Sequence, residues 1–415
     1  MKIAIIGSGI SGNTLAYYLN PLHDITLFES NDRVGGHSHT HQITLLNQKI
    51  SVDTGFIVFN KKTYPNFLKL LHELDVPYEN SAMSFSVKDS QKDFEYNGTS
   101  LNTLFAQRKN LISPIFYKMI KEILRFNKSS VLLLNNDEEI SLGDYLEREG
   151  YSDFFKKYYI LPMGSAIWSS NIKTMLAFPA KFFIQFFNNH GMLNINDRPQ
   201  WLTISGGSMN YVDKLTKPFK QKIKLNQRIK SVERKKDHIA IQFNDRLEKF
   251  DWVFFACHSD EALRLIKTPS VNEKNILKAI PYTNNEVALH YDESFMPKRK
   301  LAWAAWNYHI NDNSTSPASL TYNMNILQNL KTNIPILVTL NPQKKIDKKK
   351  IIKTLSYTHP QYSLGSIEAQ SNHHLISGIN RTSYAGAYWG NGFHEDGVKS
   401  ALDAIQQFNE AHGFH

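Results

Sequence analysis

Three glycines, Gly7, Gly9 and Gly12, stand in the spacing G-x-G-x-x-G behind a short apolar run, Lys2 to Ile6, and ahead of a stretch, Asn13 to Leu19, that reads as a helix. The pattern suits phosphate chemistry. It gives a tight turn, lets backbone N–H groups approach a pyrophosphate, and brings helix against strand. Ser8, Ile10 and Ser11 complete the loop, and a diphosphate is expected on the helix N-terminus, where unpaired N–H groups and the dipole favour negative charge. Glu29 closes a second apolar run, Ile25 to Phe28, where an acid about 20 residues after the glycines accepts hydrogen bonds from ribose hydroxyls. Strand, turn, helix, strand and acid fall in register, which predicts a dinucleotide site.

The elements that must position this site follow the same order. After Glu29 comes a glycine doublet, Arg33-Val34-Gly35-Gly36, and then a hairpin from Gln42 to Leu45 and Lys49 to Val52. Tyr64 to Leu74 has helical apolar spacing. From about residue 78 to 200 the α/β alternation lapses into one hairpin, near Ser84 to Tyr96, and helices at Asn110 to Asn127, Ser141 to Glu149, Ser152 to Tyr159 and Ala180 to Asn189. Alternation returns at Gly206-Gly207 with a helix from Met209 to Leu215. Strands are expected at Ile223 to Leu225, Ile229 to Glu233 and Ile239 to Phe243. A second excursion, with strands at Glu286 to Tyr291 and Ile336 to Leu340, precedes a closing helix from Asp396 to Phe408. The expected architecture is α/β: a Rossmann-like nucleotide-binding domain (1–77, 200–280 and 364–415) interleaved with an α+β substrate domain (78–199 and 281–363).

Composition sets limits. A chain of 415 residues is long enough for about two domains with substantial cores. Its one cysteine, Cys257, excludes an intrachain disulfide and a cysteine-based zinc site, and a reducing cytoplasm is the expected compartment. The apolar start is read as strand rather than signal peptide, and no uncharged run reaches the ~18 residues of a membrane span. The formal charge of +10 is concentrated at Lys217 to Lys224, Arg228 to Lys236 and Lys344 to Lys353. Either this is a solvated surface or it meets an anionic partner, of which the inner face of a membrane is the expected one. No nucleic-acid-binding motif is present, so nucleic acid is not expected as a partner. Oligomeric state is left open.

The doublet at Arg33 to Gly36 resembles the R-x-G-G of the large FAD family that includes amine oxidases, phytoene desaturases and protoporphyrinogen oxidases. The strings VDTGFIVFN (from Val52), LPMGSAIWSS (from Leu161), FFNNHGML (from Phe186), RPQWLTISGGSMNYV (from Arg198), AWAAWNY (from Ala302) and GFHEDG (from Gly392) are similar to a bacterial subgroup of amine-oxidase-like proteins. The resemblance implies noncovalently bound FAD, contacted by the glycine loop, Glu29, Ser30, Arg33, Gly35, Gly36, His37, Gly55, Phe56 and Gly386. It makes GFHEDG the C-terminal flavin motif, with Phe393, His394, Glu395 and Asp396 at a helix start near the flavin pyrimidine, where a helix N-terminus stabilises the charge of reduced flavin. No cysteine lies near that motif for a thioether link.

Departures from the amine oxidases bear on the reaction. A gapless alignment of Glu286 to Tyr291 puts Glu286 where those enzymes place a lysine near the flavin, and His37 follows the doublet where arginine is common. Both are candidate catalytic acid–base residues, Glu286 by a pKa raised on desolvation; the other reading of Glu286 is an exposed strand residue. Further candidates are His39, His41, His290 and His394. Strand alternation would put His37, His39 and His41 on one face, which is either a metal site, with Asp53 as the sole nearby carboxylate, or a solvated or flavin-contacting strand; the second reading is preferred and no metal is expected. Phe178, Phe182, Phe183, Phe186 and Phe187 form a helical stripe that, with Trp168, Trp201, Trp303 and Trp306, is either core or the wall of an apolar tunnel. The leading expectation is an FAD-dependent oxidase, desaturase or isomerase acting on an unsaturated acyl or lipid-like chain. Two alternatives stand beside it: an amine or amino-acid oxidase anchored by Arg198 or Arg381, and a nonenzymatic FAD-binding partner protein.

Overall fold

A computed structural model describes residues 1–45, 47–196 and 198–413. Its first sheet has five parallel strands. β1 (Lys2–Ile6) is an apolar run buried from Ile3 onward and lies at the centre. On one side it pairs with β2 (Asp24–Phe28), then Ile223–Lys224; on the other with β3 (Trp252–Phe255), then Thr382–Tyr384. A parallel sheet must be covered on both faces, and the alternation of side chains along β1 does this. Ile3 and Ile5 pack with α1 (Ile10–Leu19) and with Ala401, Ala404 and Phe408 of the C-terminal helix, His394–His412. Ala4 and Ile6 face the other way, toward a small antiparallel sheet of Ser231–Arg234, Ile239–Gln242 and Leu247–Phe250. The chain leaves β1 toward β2 on one side and meets β3 on the other, so the glycine loop sits at the point where strand order reverses, where open α/β sheets bind ligands.

The hairpin Thr40–Leu45 and Gln48–Asp53 follows as expected. Val58–Asn60 and Tyr78–Ser81 both pair with the distant strand Trp201–Ile204. Between them lies a helical segment whose main members are α2 (Pro114–Ser129), α3 (Leu161–Trp168) and α4 (Ala180–Asn189). Here the structure differs from the expected helix over Asn110 to Asn127. Residues Arg108–Ile112 form a separate 3-10 turn, and α2 begins afresh at Pro114. Proline fits the first helical turn but disfavours helical backbone in the residue before it, and Ser113 is extended.

A second sheet has seven strands. β4 (Tyr282–His290) and β5 (Ile351–Pro360) are neighbours at one edge, followed by Leu337–Leu340, Ser319–Asn323, Trp306–His309, Phe85–Asp89 and Phe94–Asn97. β4 is longer than the expected Glu286 to Tyr291, beginning at Tyr282. This is the α/β class with the Rossmann-like sheet that the sequence predicts, and the second sheet is mixed, Trp306–His309 pairing parallel with Phe85–Asp89 among otherwise antiparallel neighbours.

Candidate functional site

The loop after β1 is shaped by its glycines. Gly7 has a φ of +104°, and a Cβ there would lie 2.7 Å from the Ala256 carbonyl; one on Gly12 would lie 1.8 Å from the Gly7 carbonyl. Gly9, by contrast, has nothing within 4 Å of its Cβ position. It faces a cavity of about 1590 Å³ lined by Gly7, Ser8, Gly9, Ile10 and Ser11, and by Gly386. No side chain caps α1 at Gly9, so its first-turn N–H groups are free for an anion. Glu29 and Ser30 line the same end. Ser8 donates to the Glu29 carboxylate from its backbone N (3.0 Å) and Oγ (2.6 Å), and Asn31 from its backbone N (2.9 Å) and Nδ2 (2.8 Å). Burial pushes the Glu29 pKa up, but these hydrogen bonds outweigh it and hold the carboxyl below its ordinary value. An uncapped helix start, open space over Gly9 and an ionised acid on the next strand together fit a dinucleotide.

The doublet folds against this loop, with the Gly36 Cβ position 3.0 Å from the Gly9 Cα. Arg33 closes it, donating to the carbonyls of Gly36 (2.7 Å), Ser38 (3.2 Å) and Val34 (3.3 Å). Gly35 lies behind, outside the cavity lining; Gly36, His37, Gly55 and Phe56 line it. His37 parts from His39 and His41, because the strand starts only at Thr40. The His39 and His41 rings are 4.0 Å apart and bond Tyr357 and Thr54, whereas the His37 ring lies 5.2 Å from Tyr357 and 5.4 Å from His359. Burial, then the neighbouring His359 and His258, hold His37 well below its ordinary pKa, and its buried Nε2 has no hydrogen-bond partner among the described residues. His359, whose pKa burial lowers to about 4, has Nδ1 held by Ser169 Oγ (2.9 Å) and Asn285 Nδ2 (3.3 Å), leaving Nε2 for a ligand. Among the described residues no group of acids, histidines or cysteine is arranged to hold a metal ion.

The GFHEDG motif divides. Phe393 and His394 line the cavity. His394 is held by Ser38 Oγ (2.9 Å) and Tyr211 OH (3.0 Å) and stacked on Phe56 (3.6 Å), and burial lowers its pKa to about 3. Glu395 and Asp396 are not in the lining. Glu395 accepts from the backbone N of Asn66 (3.0 Å) and Phe67 (2.9 Å), capping the helix Pro65–Glu73. Asp396 accepts from the Phe393 backbone N (2.9 Å), and burial raises its pKa to about 6. Glu286 is exposed on β4 and lies outside the cavity. β4 meets the cavity at its first residue, Tyr282, and its neighbour β5 does so through Tyr357 and His359; β5 carried no motif that would have marked it. His290 is buried against Thr339 (2.7 Å) and also lies away from the cavity.

The other half of the cavity is apolar. Of the α4 stripe only Phe186 lines it, stacked on Phe393 (5.1 Å) and His190 (3.9 Å); Phe178, Phe183 and Phe187 are core. Trp168, Trp201 and Trp306 reach the cavity, and Trp303 does not. The walls that sequence reasoning missed are Ile120, Ile123 and Leu124 of α2 and Met163 and Ile167 of α3. In α2 the signal was present: Ile120 and Ile123 stand one turn from the core positions 116 and 119 and, with Leu124, widen that apolar stripe on one flank. Arg198 lies in this lining, donating from Nε to the Asn194 carbonyl (2.9 Å). Arg381 is elsewhere, bonding the Asp251 carbonyl (3.3 Å).

Comparison with known proteins accounts for this geometry. The family model described as flavin containing amine oxidoreductase matches residues 10–333. The chain belongs to that family. It is an FAD-dependent oxidoreductase of the amine-oxidase type; its one cysteine, Cys257, lies beside the glycine loop and not at the C-terminal motif. Solved structures of similar fold include cyclohexylamine oxidase from Brevibacterium oxydans IH-35A (12% identity, 99% of each chain, TM-score 0.72). They also include putrescine oxidase bound to putrescine (12% identity, 98% of this chain and 99% of that one, TM-score 0.68). A CLA-producing fatty acid isomerase from P. acnes is similar as well (14% identity, 98% of each chain, TM-score 0.66). A search of curated protein sequences gives no match.

Proposed function

We propose that this protein oxidises, desaturates or isomerises an unsaturated acyl or lipid-like chain. The observation that carries the reading is the continuity of the cavity, from the polar glycine loop and Glu29 to walls of Ile120, Ile123, Met163, Ile167 and Trp168. Bound FAD supplies a two-electron acceptor for hydride from a C–H bond beside a double bond. The FAD diphosphate is assigned to the start of α1, its ribose to Glu29, and the flavin end to the surroundings of His37, Gly55, Phe56, Gly386, Phe393 and His394. The apolar walls hold and orient a chain and exclude water. His37 and His359, both neutral, are the groups we assign to accept or donate a proton, a role in which Glu286 has no part.

A carboxylate or phosphate head group on the chain has Arg198 as its partner in the apolar half. The fold alone is shared with amine oxidases and with a fatty acid isomerase, so substrate class rests on the cavity walls. The test is anaerobic mixing of the FAD-loaded protein with unsaturated fatty acids, phospholipids and a panel of primary amines, following the flavin absorbance and the products. Turnover of an acyl substrate is the expected result. Bleaching by amines alone, with every acyl chain recovered unchanged, would overturn the reading in favour of amine oxidation. A flavin that no candidate reduces and no product change would favour a nonenzymatic role.

A further inference from the structure

α2 has three faces. Phe116, Met119, Glu122 and Phe126 are buried in the helical core. Ile120, Ile123 and Leu124 line the cavity. Lys118, Lys121, Arg125 and Lys128 face solvent. Residues 101–132 hold six cations and a single acid, Glu122, and that acid is turned inward, accepting from the backbone N of Ser152 (3.0 Å). The solvent face is therefore strongly positive.

Large apolar side chains stand exposed beside it. Leu101 is 78% exposed, Leu124 46% and Ile195 60%, yet all three also line the cavity. They come from three separate segments, so they mark the rim where the apolar half of the cavity opens. Ile112 is 86% exposed and Leu111 47%. These residues belong to one continuous surface: Tyr117 of α2 donates to the Leu111 carbonyl (3.0 Å) and packs on Phe105 (5.9 Å), and Arg108 donates to Asn102 Oδ1 (2.8 Å). Exposed apolar groups beside a row of cations match a bilayer whose surface is anionic and whose interior is apolar. No helix among the described residues is long and apolar enough to cross a membrane, so contact would be from one side.

We propose that the face formed by residues 101–128 and Ile195 docks on an anionic lipid bilayer and opens the cavity toward it. Docking stands on the surface itself; only its purpose, delivery of an acyl chain, rests on the function proposed above. The basic clusters at Lys217 to Lys224, Arg228 to Lys236 and Lys344 to Lys353 are not required for it.

The experiment is sedimentation of the FAD-loaded full-length protein with vesicles of phosphatidylcholine alone or of phosphatidylcholine with a minority of phosphatidylglycerol. No turnover is read, so a failure here and a failure of the proposed reaction are separate results. The protein is expected to partition to the anionic vesicles and less so as salt is raised. Lys118→Glu with Lys121→Glu, and separately Ile112→Glu, should each lower the partition coefficient about tenfold or more. Lys345→Glu with Lys348→Glu, at exposed positions of another basic cluster, should leave it unchanged. Flavin absorbance confirms that each variant is folded and loaded. The proposal is overturned by absence of partition to any vesicle, or by loss from the control substitutions equal to that from Lys118 and Lys121. It is also overturned if light scattering without lipid shows a dimer that Ile112→Glu dissociates, which would assign the face to a second copy of the chain.

Discussion

At the scale of single residues, Glu29 and Glu286 make opposite predictions. Glu29 is buried and ionised, and Ser8 and Asn31 converge on it. Glu29→Ala removes an acceptor from the cofactor and unties the glycine loop. Charge-assisted hydrogen bonds contribute about 2 kcal/mol each, so FAD affinity should fall roughly 30-fold, measured by fluorescence titration of the apoprotein; unchanged affinity would take Glu29 out of the cofactor site. Glu286 is exposed and apart from the cavity, so Glu286→Gln should leave turnover as it was, and a loss of turnover would restore it as a catalytic candidate. The difference between the two was only half legible in the sequence. Glu29 is fixed within a local unit by the glycines before it. The register of Glu286 depends on an alternation in which one step exchanges the two faces of a strand, and on β5, which pairs with β4 from far along the chain.

At the scale of elements, the C-terminal helix shows why a motif read as one site divides in two. Its first turn lies between the cavity and the helix Pro65–Glu73. Phe393 and His394 face the cavity, and Glu395 reaches the other helix instead. Glu395→Ala should therefore cost about 1 kcal/mol, the usual loss for a helix cap. The holoprotein should melt at a lower temperature with its flavin spectrum unchanged; a shifted spectrum with the same stability would place Glu395 beside the flavin. The strands and helices themselves were largely legible, because Gly, Pro and apolar periodicity act locally. Their partners were not. The stripe from Phe178 to Phe187 announces a buried face, and Phe178, Phe183 and Phe187 do bury it, but periodicity does not say whether core or cavity lies opposite. Asp53 is a further case. It ties VDTG to ISGGS by accepting from the Ser208 backbone N (3.0 Å) and Oγ (2.7 Å) and from Gln328 Nε2 (2.8 Å), a contact between segments 155 and 275 residues apart.

For the whole molecule, buried histidines set the response to acid. Burial lowers the pKa of His41, His190, His290, His359 and His373 to about 4, and of His394 to about 3. The unfolded chain takes up these protons near 6.5 and the folded one does not, so stability is full above that pH and is lost as pH falls toward 4. Each such histidine costs roughly 1 kcal/mol at about pH 5.5. Asp396, raised to about 6, acts in the opposite sense, since its stabilising neutral form is lost as pH rises through 6, but one carboxyl is outweighed by the histidines. The Tm of the holoprotein should fall steeply between pH 6.5 and about 4.5; a Tm constant over that range would mean that these rings are not buried neutral.

The cavity joins the cofactor loop of one sheet to the apolar walls of the helical segment, and in the function proposed above this continuity selects an acyl chain. Product analysis tests it most directly: the FAD-loaded protein is incubated with unsaturated acyl substrates and with amines, and the products are examined by chromatography and mass spectrometry. The prediction is an acyl product that has lost two hydrogens or carries a moved double bond, while the amines are recovered unchanged. Conversion of an amine to its aldehyde with every acyl chain intact would contradict it.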